Sequence, residues 1–385
     1  MGKTKILIYD SISDGHHLDY LFYFIHQTSQ RPNIELIVVC HQNITKNLAD
    51  FNFPINQFTN ISFHFLTNHQ IQSFHSKNIF SRSLQEWKFA LNIAKINQVQ
   101  EIIFPYFDYF QFSVLFGEKP NAKISGILFS SIAQNKAYAY LKKEVIKSVV
   151  NKPFFHKLFI LSEEYAKILL PISTKIQFLF DPIYTFPNNP AIKQSVQNKL
   201  NIPPNKTIFL NFGHLDERKG IQPFLEAIQL LSPQQRENIH LVLAGKLDPK
   251  IKPVVENLLS KVPEISTTLL FQHLDAEEIQ YLFESTDWSL VLYPKFLGSS
   301  SVLVRSALAQ KPILGNNYGN IAFLLEKYPI GLTANPENPT NIAQKLTEIL
   351  LDKPKFSPEI FENFSKNHSL ENFGNALLGP IIQNT

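Results

Sequence analysis

Strand-length apolar runs alternate with helix-period stretches along nearly the whole chain, and that alternation is what most constrains its fold. Lys5 to Asp10 (KILIYD) reads as a buried strand. From His17 onward, apolar residues recur at Leu18, Leu21, Phe22 and Ile25, the spacing of one helix face. Further strands are expected at Ile34 to Cys40, Ile61 to Leu66, Glu101 to Tyr106, Lys123 to Phe129, Lys157 to Leu161 and Ile176 to Phe180, with a helix around Leu84, Trp87, Leu91 and Ala94. Near-continuous Ile, Val, Leu and Phe within the strands implies parallel sheets covered on both faces.

The alternation breaks once. After Asp181-Pro182 comes a polar stretch rich in proline and asparagine: Pro187, Asn188, Asn189, Pro190, Pro203 and Pro204. It reads as a linker over 186–206. A second series follows, with strands expected at Thr207 to Phe212, His240 to Ala244, Thr268 to Gln272, Trp288 to Tyr293 and Pro312 to Leu314. The chain of 385 residues suits two domains of under 200 each. The expected organisation is a Rossmann-like domain over 1–185, the linker, and a second Rossmann-like domain over 207–368. A C-terminal helix over 369–385 is placed to cross back to the first. Two such α/β domains would bind ligands at the C-terminal edges of their strands, across a cleft.

Composition removes several function classes. The single cysteine, Cys40, excludes an internal disulfide and any cysteine-based metal cluster, so a reduced, cytoplasmic setting is expected. No run approaches 18 consecutive apolar residues, and no signal peptide is visible. The net charge of +4 is unevenly spread, with 18 basic against 13 acidic residues through Thr185 and 18 against 19 beyond it. That excess is compatible with an acidic acceptor or the inner face of a membrane, and too weak for nucleic acid. Between Tyr138 and Asn151, Lys142, Lys143 and Lys147 lie close to Leu141, Val145, Ile146 and Val149. This is either a core helix with a solvated lysine face or a weak peripheral membrane contact.

Four loops carry chemistry, each between a strand and a helix. In Asp14-Gly15-His16-His17, Gly15 lets the backbone approach a ligand and His16 is placed to donate to a phosphate or sugar hydroxyl. The plainer alternative is a helix cap with bystander histidines. In Gly213-His214-Leu215-Asp216-Glu217-Arg218-Lys219-Gly220, two adjacent cations between glycines make a diphosphate grip, or else a solvated turn. Gly245-Lys246 opens a third loop, a common turn sequence on its own. The fourth, Gly298-Ser299-Ser300-Ser301, offers free amides and three hydroxyls at a helix start, where capping accounts for only one serine. There is no Asp-x-Asp pair, His-x-x-x-His, Walker lysine pattern, Gly-x-Gly-x-x-Gly or Gly-x-Ser-x-Gly. No metal and no cofactor are expected.

In order, these loops resemble those of the GT-B glycosyltransferases, specifically the retaining family 4 type, over nearly the whole chain. Gly213 to Gly220 resembles the family's Gly-Arg-x-x-x-x-Lys-Gly, with His214 where that arginine stands and Lys219 retained. Ala244-Gly245-Lys246 matches its glycine turn, Ala309-Gln310-Lys311-Pro312-Ile313 its late strand entry, and Gly15-His16 its first helix opening. The resemblance implies transfer of a sugar from a nucleotide-sugar donor to an acceptor, with retention and without metal. The donor phosphates would meet Gly15, Gly213, His214, Arg218, Lys219, Gly245, Lys246 and Gly298 to Ser301, with His16 and Lys219 as the catalytic pair. By the same resemblance the leaving phosphate would take the acceptor's proton. The family's two glutamates, which engage the donor sugar and ribose, are Leu297 and Arg305 here. Arg305 offers only donors, so it would bind phosphate instead. Loss of both glutamates leaves open a catalytically degenerate binder of nucleotide or glycan, or a sugar-nucleotide epimerase of the same fold.

Overall fold

The structure, a computed structural model, describes residues 3–12, 16–130 and 136–382. It divides into two compact units. One joins Met1–Pro182 to Ser369–Thr385, and the other is Ile183–His368.

Among its described residues the first unit contains seven strands: β1 (Thr4–Tyr9), β2 (Ile34–His41), β3 (Ile61–Leu66), β4 (Glu101–Phe104), β5 (Lys123–Leu128), β6 (Phe155–Ile160) and β7 (Ile176–Phe178). They form one sheet in the order β3-β2-β1-β4-β5-β6-β7, and every pairing is parallel. Leu7, Tyr9, Ile37, Val39, Ile102 and Phe104 join one core with Trp87, whose indole N–H donates to the Glu118 carbonyl at 3.0 Å. The alternate residues Ile6, Ile8, Leu36 and Val38 are also fully buried. A sheet buried on both faces is why these strands read as continuous apolar runs.

The second unit contains β8 (Thr207–Phe212), β9 (Ile239–Ala244), β10 (Ser266–Leu270), β11 (Trp288–Val291), β12 (Ile313–Asn316) and β13 (Gly331–Ala334), in the order β10-β9-β8-β11-β12-β13. All pairings are again parallel. Phe209, Leu241, Leu243 and Leu290 face one core with Leu225 and Leu346. Their neighbours Leu210, Val242, Ala244 and Val291 face another with Tyr281 and Leu303. Strand alternation thus feeds two layers of helices.

Within the stretch 186–206 expected as a linker, Pro190–Leu200 is a helix of the second unit. The Asn189 side chain caps it, Pro190 occupies its first turn, and Asn201 ends it in the left-handed region at φ 42°. Asparagine and proline that read as loop signals are helix-start signals here. Val196 and Leu200 are buried, while Lys193 and Lys199 pair with Glu284 and Glu278 on helix Ala276–Glu284. Strand β13 was not expected from sequence. Its Gly331 packs so tightly on β12 that a side chain would overlap the Ile313 backbone.

The helix Leu370–Ile382 packs in the first unit against helix His16–Ser29. Phe373 meets Tyr20 edge-on at 5.8 Å and Phe24 at 5.7 Å, and Arg31 donates to Asn375 at 2.7 Å. In helix Lys136–Val150, Ile146, Val149 and Val150 are core residues, whereas Tyr140 and Leu141 are exposed. Among the described residues no helix is long and apolar enough to cross a membrane.

Candidate functional site

In each sheet one strand has neighbours whose connections leave in opposite directions. These switch points are β1/β4 in the first unit and β8/β11 in the second, and parallel sheets present their ligand sites at the C-terminal ends of such strands. Both candidate sites lie there.

In the second unit, β8 is followed by Gly213 with φ +118° and β9 by Gly245 with φ +116°. A side chain on Gly245 would overlap the Gly213 carbonyl, so the two strand ends can meet only as glycines. Their loops stay paired beyond the sheet. Leu215 N–H donates to the Lys246 carbonyl at 2.8 Å, and Asp248 N–H to Leu215 at 2.9 Å. Gly220, at φ +62°, then seats the start of helix Ile221–Gln229 against the Leu292 carbonyl.

This turn brings Lys219 back over the strand end. Its Nζ would stand 3.2 Å from a Cβ placed on Gly213, donates to the Tyr293 hydroxyl at 3.1 Å, and stands 4.4 Å from the Tyr293 ring centre. Buried Asn211 donates to the Lys219 carbonyl at 3.0 Å. Buried Asn316 grips Tyr293 from both sides, accepting from its N–H at 2.6 Å and donating to its carbonyl at 2.8 Å. Tyr293 in turn packs edge-on against Phe296 at 5.6 Å, and Phe296 lies under Gly298. Ser300 caps helix Ser301–Leu308 through Leu303 N–H, and among the described residues the buried Ser299 hydroxyl has no hydrogen-bond partner. A cation, a helix start and an unsatisfied hydroxyl are thus linked at one strand end.

Other expected members are placed differently. Arg218 is 77% exposed and makes a two-pronged ion pair with Asp216, at 2.6 and 2.9 Å. His214 and Lys246 are exposed on the paired loops. Arg305 lines a small cavity of about 50 Å³ with Tyr184, Gln280, Phe283, Glu284 and Leu308, and no described residue of the four loops contributes to it. Most of its lining comes from the last turns of helices Ala276–Glu284 and Ser301–Leu308, which lead back toward the starts of β11 and β12.

In the first unit, a cavity of about 190 Å³ opens where β1 and β4 end. Asp10 follows β1, and its carboxylate accepts from Ile12 N–H at 3.0 Å and from His17 Nδ1 at 2.7 Å. The His17 ring stacks on Tyr106 at 3.5 Å, and Tyr106 stacks on Phe129 at 4.1 Å. Burial, then the Asp10 charge, raises the Tyr106 phenol well above its ordinary range, so it stays protonated. Helix Ile79–Ile96 supplies Arg82 and Glu86, paired at 2.6 Å, with Glu86 only 4% exposed. Ser11 donates to Glu86 at 2.8 Å. Burial, then Glu86, keeps the adjacent Tyr9 phenol protonated. Tyr109, Phe110 and Ile79 complete apolar walls, and Lys77 stands at the edge.

Gly15 lies outside the described residues. His16 is 59% exposed and only 3.9 Å from Asp19, so its neighbour His17 is the histidine that enters the cavity. Sequence reasoning missed His17, Asp10, Arg82, Glu86 and Tyr106 here, and Asn211, Tyr293 and Asn316 in the second unit. One signal was available: a polar residue closing an otherwise apolar strand, as in KILIYD, TIFLNF and ILGN.

Residues 192–368 match the family described as glycosyl transferases group 1. Among solved structures the chain is similar to the N-terminal domain of Candida albicans trehalose-6-phosphate phosphatase, at 13% identity over 100% of this chain and 97% of that one, with TM-score 0.73. A glycosyltransferase from Rickettsia africae is 15% identical over 100% of both chains, with TM-score 0.71. Anabaena HepE in complex with UDP is 11% identical over 99% of this chain and 100% of that one, with TM-score 0.70. At such identities the likeness is one of fold. No curated protein matches the chain.

Proposed function

We propose that this chain, which has the GT-B fold and a group 1 glycosyl transferase domain at residues 192–368, moves a sugar from a nucleotide-sugar donor to an acceptor. The observation that carries the reading is Lys219, folded back over Gly213 at the β8/β11 switch point and held by Tyr293. A point charge there is suited to a diphosphate, and it strengthens as the leaving group gains charge. Ser299 and the amides at the head of helix Ser301–Leu308 supply further donors. HepE structures hold UDP, UDP with glucose, and UDP-glucose, which makes UDP-glucose the first donor to try.

Our reading is of transfer with retention and without a divalent ion, Lys219 and the helix head standing where a metal would otherwise neutralise phosphate. The acceptor belongs to the first unit, whose cavity joins aromatic walls to carboxylates that accept from hydroxyls. Exposed Tyr140 and Leu141 beside Lys143 and Lys147 give that unit a surface for anionic lipid at the inner membrane face.

The test is calorimetric titration with UDP-glucose and other nucleotide sugars, followed by nucleoside diphosphate release in excess EDTA. Saturable binding with EDTA-resistant release is expected. Activity lost in EDTA and restored by Mg²⁺ or Mn²⁺ overturns the metal-free reading. Binding without release favours the degenerate binder, for which Leu297 and Arg305 in place of the glutamates are the specific observation.

A further inference from the structure

We propose that Tyr318 is a positioning residue for the donor: its hydroxyl holds the Lys295 amide, and through it the loop that leads by Gly298 and Ser299 to the head of helix Ser301–Leu308. This rests on the reading of the second unit's strand-end site as the nucleotide-sugar site. Every residue it uses belongs to that unit.

The loop that leaves β11 carries an unusual backbone. Lys295 sits in the left-handed region at φ +60°. For a residue with a Cβ that conformation costs free energy, and it persists only where the surroundings hold it. The Lys295 side chain is exposed, so the hold comes through its backbone.

Alternate residues beyond the end of β12 supply that hold. Buried Asn316 accepts from Tyr293 N–H at 2.6 Å and donates to the Phe296 carbonyl at 3.3 Å. The Tyr318 hydroxyl accepts from Lys295 N–H at 2.8 Å. Asn320 N–H donates to the Leu297 carbonyl at 3.2 Å. Gly319, at φ +69°, comes so close that a Cβ there would stand 2.9 Å from the Leu297 Cα. Among the described residues, Tyr318 is the side chain that bonds to the left-handed residue itself. Burial raises its phenol above the ordinary range, so it meets the amide as a neutral hydroxyl.

Both ends of the loop touch the proposed phosphate grip. Pro294 packs against Gly220, the residue after Lys219, and Gly298 lies on the Phe296 ring just before Ser299. A loop released at Lys295 would move Ser299 and the helix head relative to Lys219. A diphosphate held by both would then lose its fit to one of them.

The test uses the full chain, with UDP-glucose as the probe. Tyr318→Phe keeps the ring and removes the acceptor. It should weaken calorimetric UDP-glucose affinity by about fivefold to tenfold, the worth of one hydrogen bond. Lys295→Gly has no Cβ and no left-handed cost, so alone it should stay within about twofold of wild type. In the Lys295→Gly background, Tyr318→Phe should cost less than about twofold, because the strain it offset is gone. Hydrogen exchange of the ligand-free protein should show the Phe296 to Ser299 amides opening faster in Tyr318→Phe than in wild type. A lowered melting temperature with affinity within about twofold of wild type means a merely structural hydroxyl and overturns the proposal. Equal losses in both backgrounds place the hydroxyl on the ligand and overturn it too, as does unchanged exchange. A wild type that binds no nucleotide sugar overturns the donor reading and this role with it, whereas the exchange difference would persist.

Discussion

The two units place their candidate sites at equivalent points of similar sheets and build them in opposite ways. In the second unit the site is mostly backbone: Gly213, Gly220 and Gly245 at positive φ let two strand ends and a helix start converge, and Lys219 arrives on the same short loop. In the first unit it is mostly side chain. Asp10, His17, Arg82, Glu86 and Tyr106 come from two strand ends and two helices, and the parallel order β2-β1-β4 is what gathers them. A phosphate is a fixed, highly charged shape that amides and one cation can hold. An acceptor offers hydroxyls on a ring, and discriminating them takes paired carboxylates and aromatic faces. If that contrast is real, backbone strain should break the second site and charge removal the first.

The largest effect is expected at Gly220. Its φ of +62° and the Leu292 carbonyl leave no room for a branched side chain. Gly220→Val should cost about 3 kcal/mol or more, from left-handed strain plus overlap. Urea unfolding monitored on the second unit checks this. A loss under about 1 kcal/mol shows that the loop relaxes freely and that its backbone is not the site's frame.

Next in size is Glu86→Ala in the first unit. It removes the acceptor for Arg82 and Ser11 and leaves a guanidinium facing an apolar wall, a loss of about 2–3 kcal/mol for charged hydrogen bonds. The same variant should weaken acceptor use and leave UDP affinity unchanged. Equal damage to both readouts erases the distinction between the sites.

That contrast also explains what the sequence revealed. The strand runs and the glycine-marked loops were legible because they are local: KILIYD and TIFLNF declare buried strands, and Gly213 to Gly220 declares a special turn within eight residues. Pro190–Leu200 was missed because Asn189 and Pro190 open helices as readily as they mark loops. His17 was passed over for His16 because one residue's rotation about a helix decides which ring meets Asp10, and the first helical position falls outside any periodic pattern. Arg82, Glu86 and Tyr106 carried no mark, being ordinary helix and loop residues until β1 and β4 lie side by side.

Lys219→Ala sharpens the comparison at its other end. Losing one charged contact of roughly 1.5–3 kcal/mol should weaken nucleotide-sugar binding by tenfold or more. Melting temperature should barely move, because the ammonium's neutral partner, Tyr293, stays clamped by Asn316. Unchanged affinity means the turn is a solvated one.

The smallest effect is expected at Arg305, which decides how far the second site extends. Four positions beyond Ser301, it was read from sequence as a phosphate ligand on the same helix face. The structure instead sets it among Tyr184, Phe283 and Glu284, in a cavity to which Lys219 and the serine loop do not contribute. Guanidinium packing of that kind acts on stability through its stem as well as its charge. Arg305→Ala should therefore leave UDP-glucose affinity within about twofold and lower stability by about 1 kcal/mol. Arg305→Glu, which sets a carboxylate beside Glu284, should lower the melting temperature further while affinity holds. If both variants instead weaken donor binding tenfold at unchanged melting temperature, with charge reversal the worse, then Arg305 reaches the phosphates. The second site is then built from side chains as much as the first.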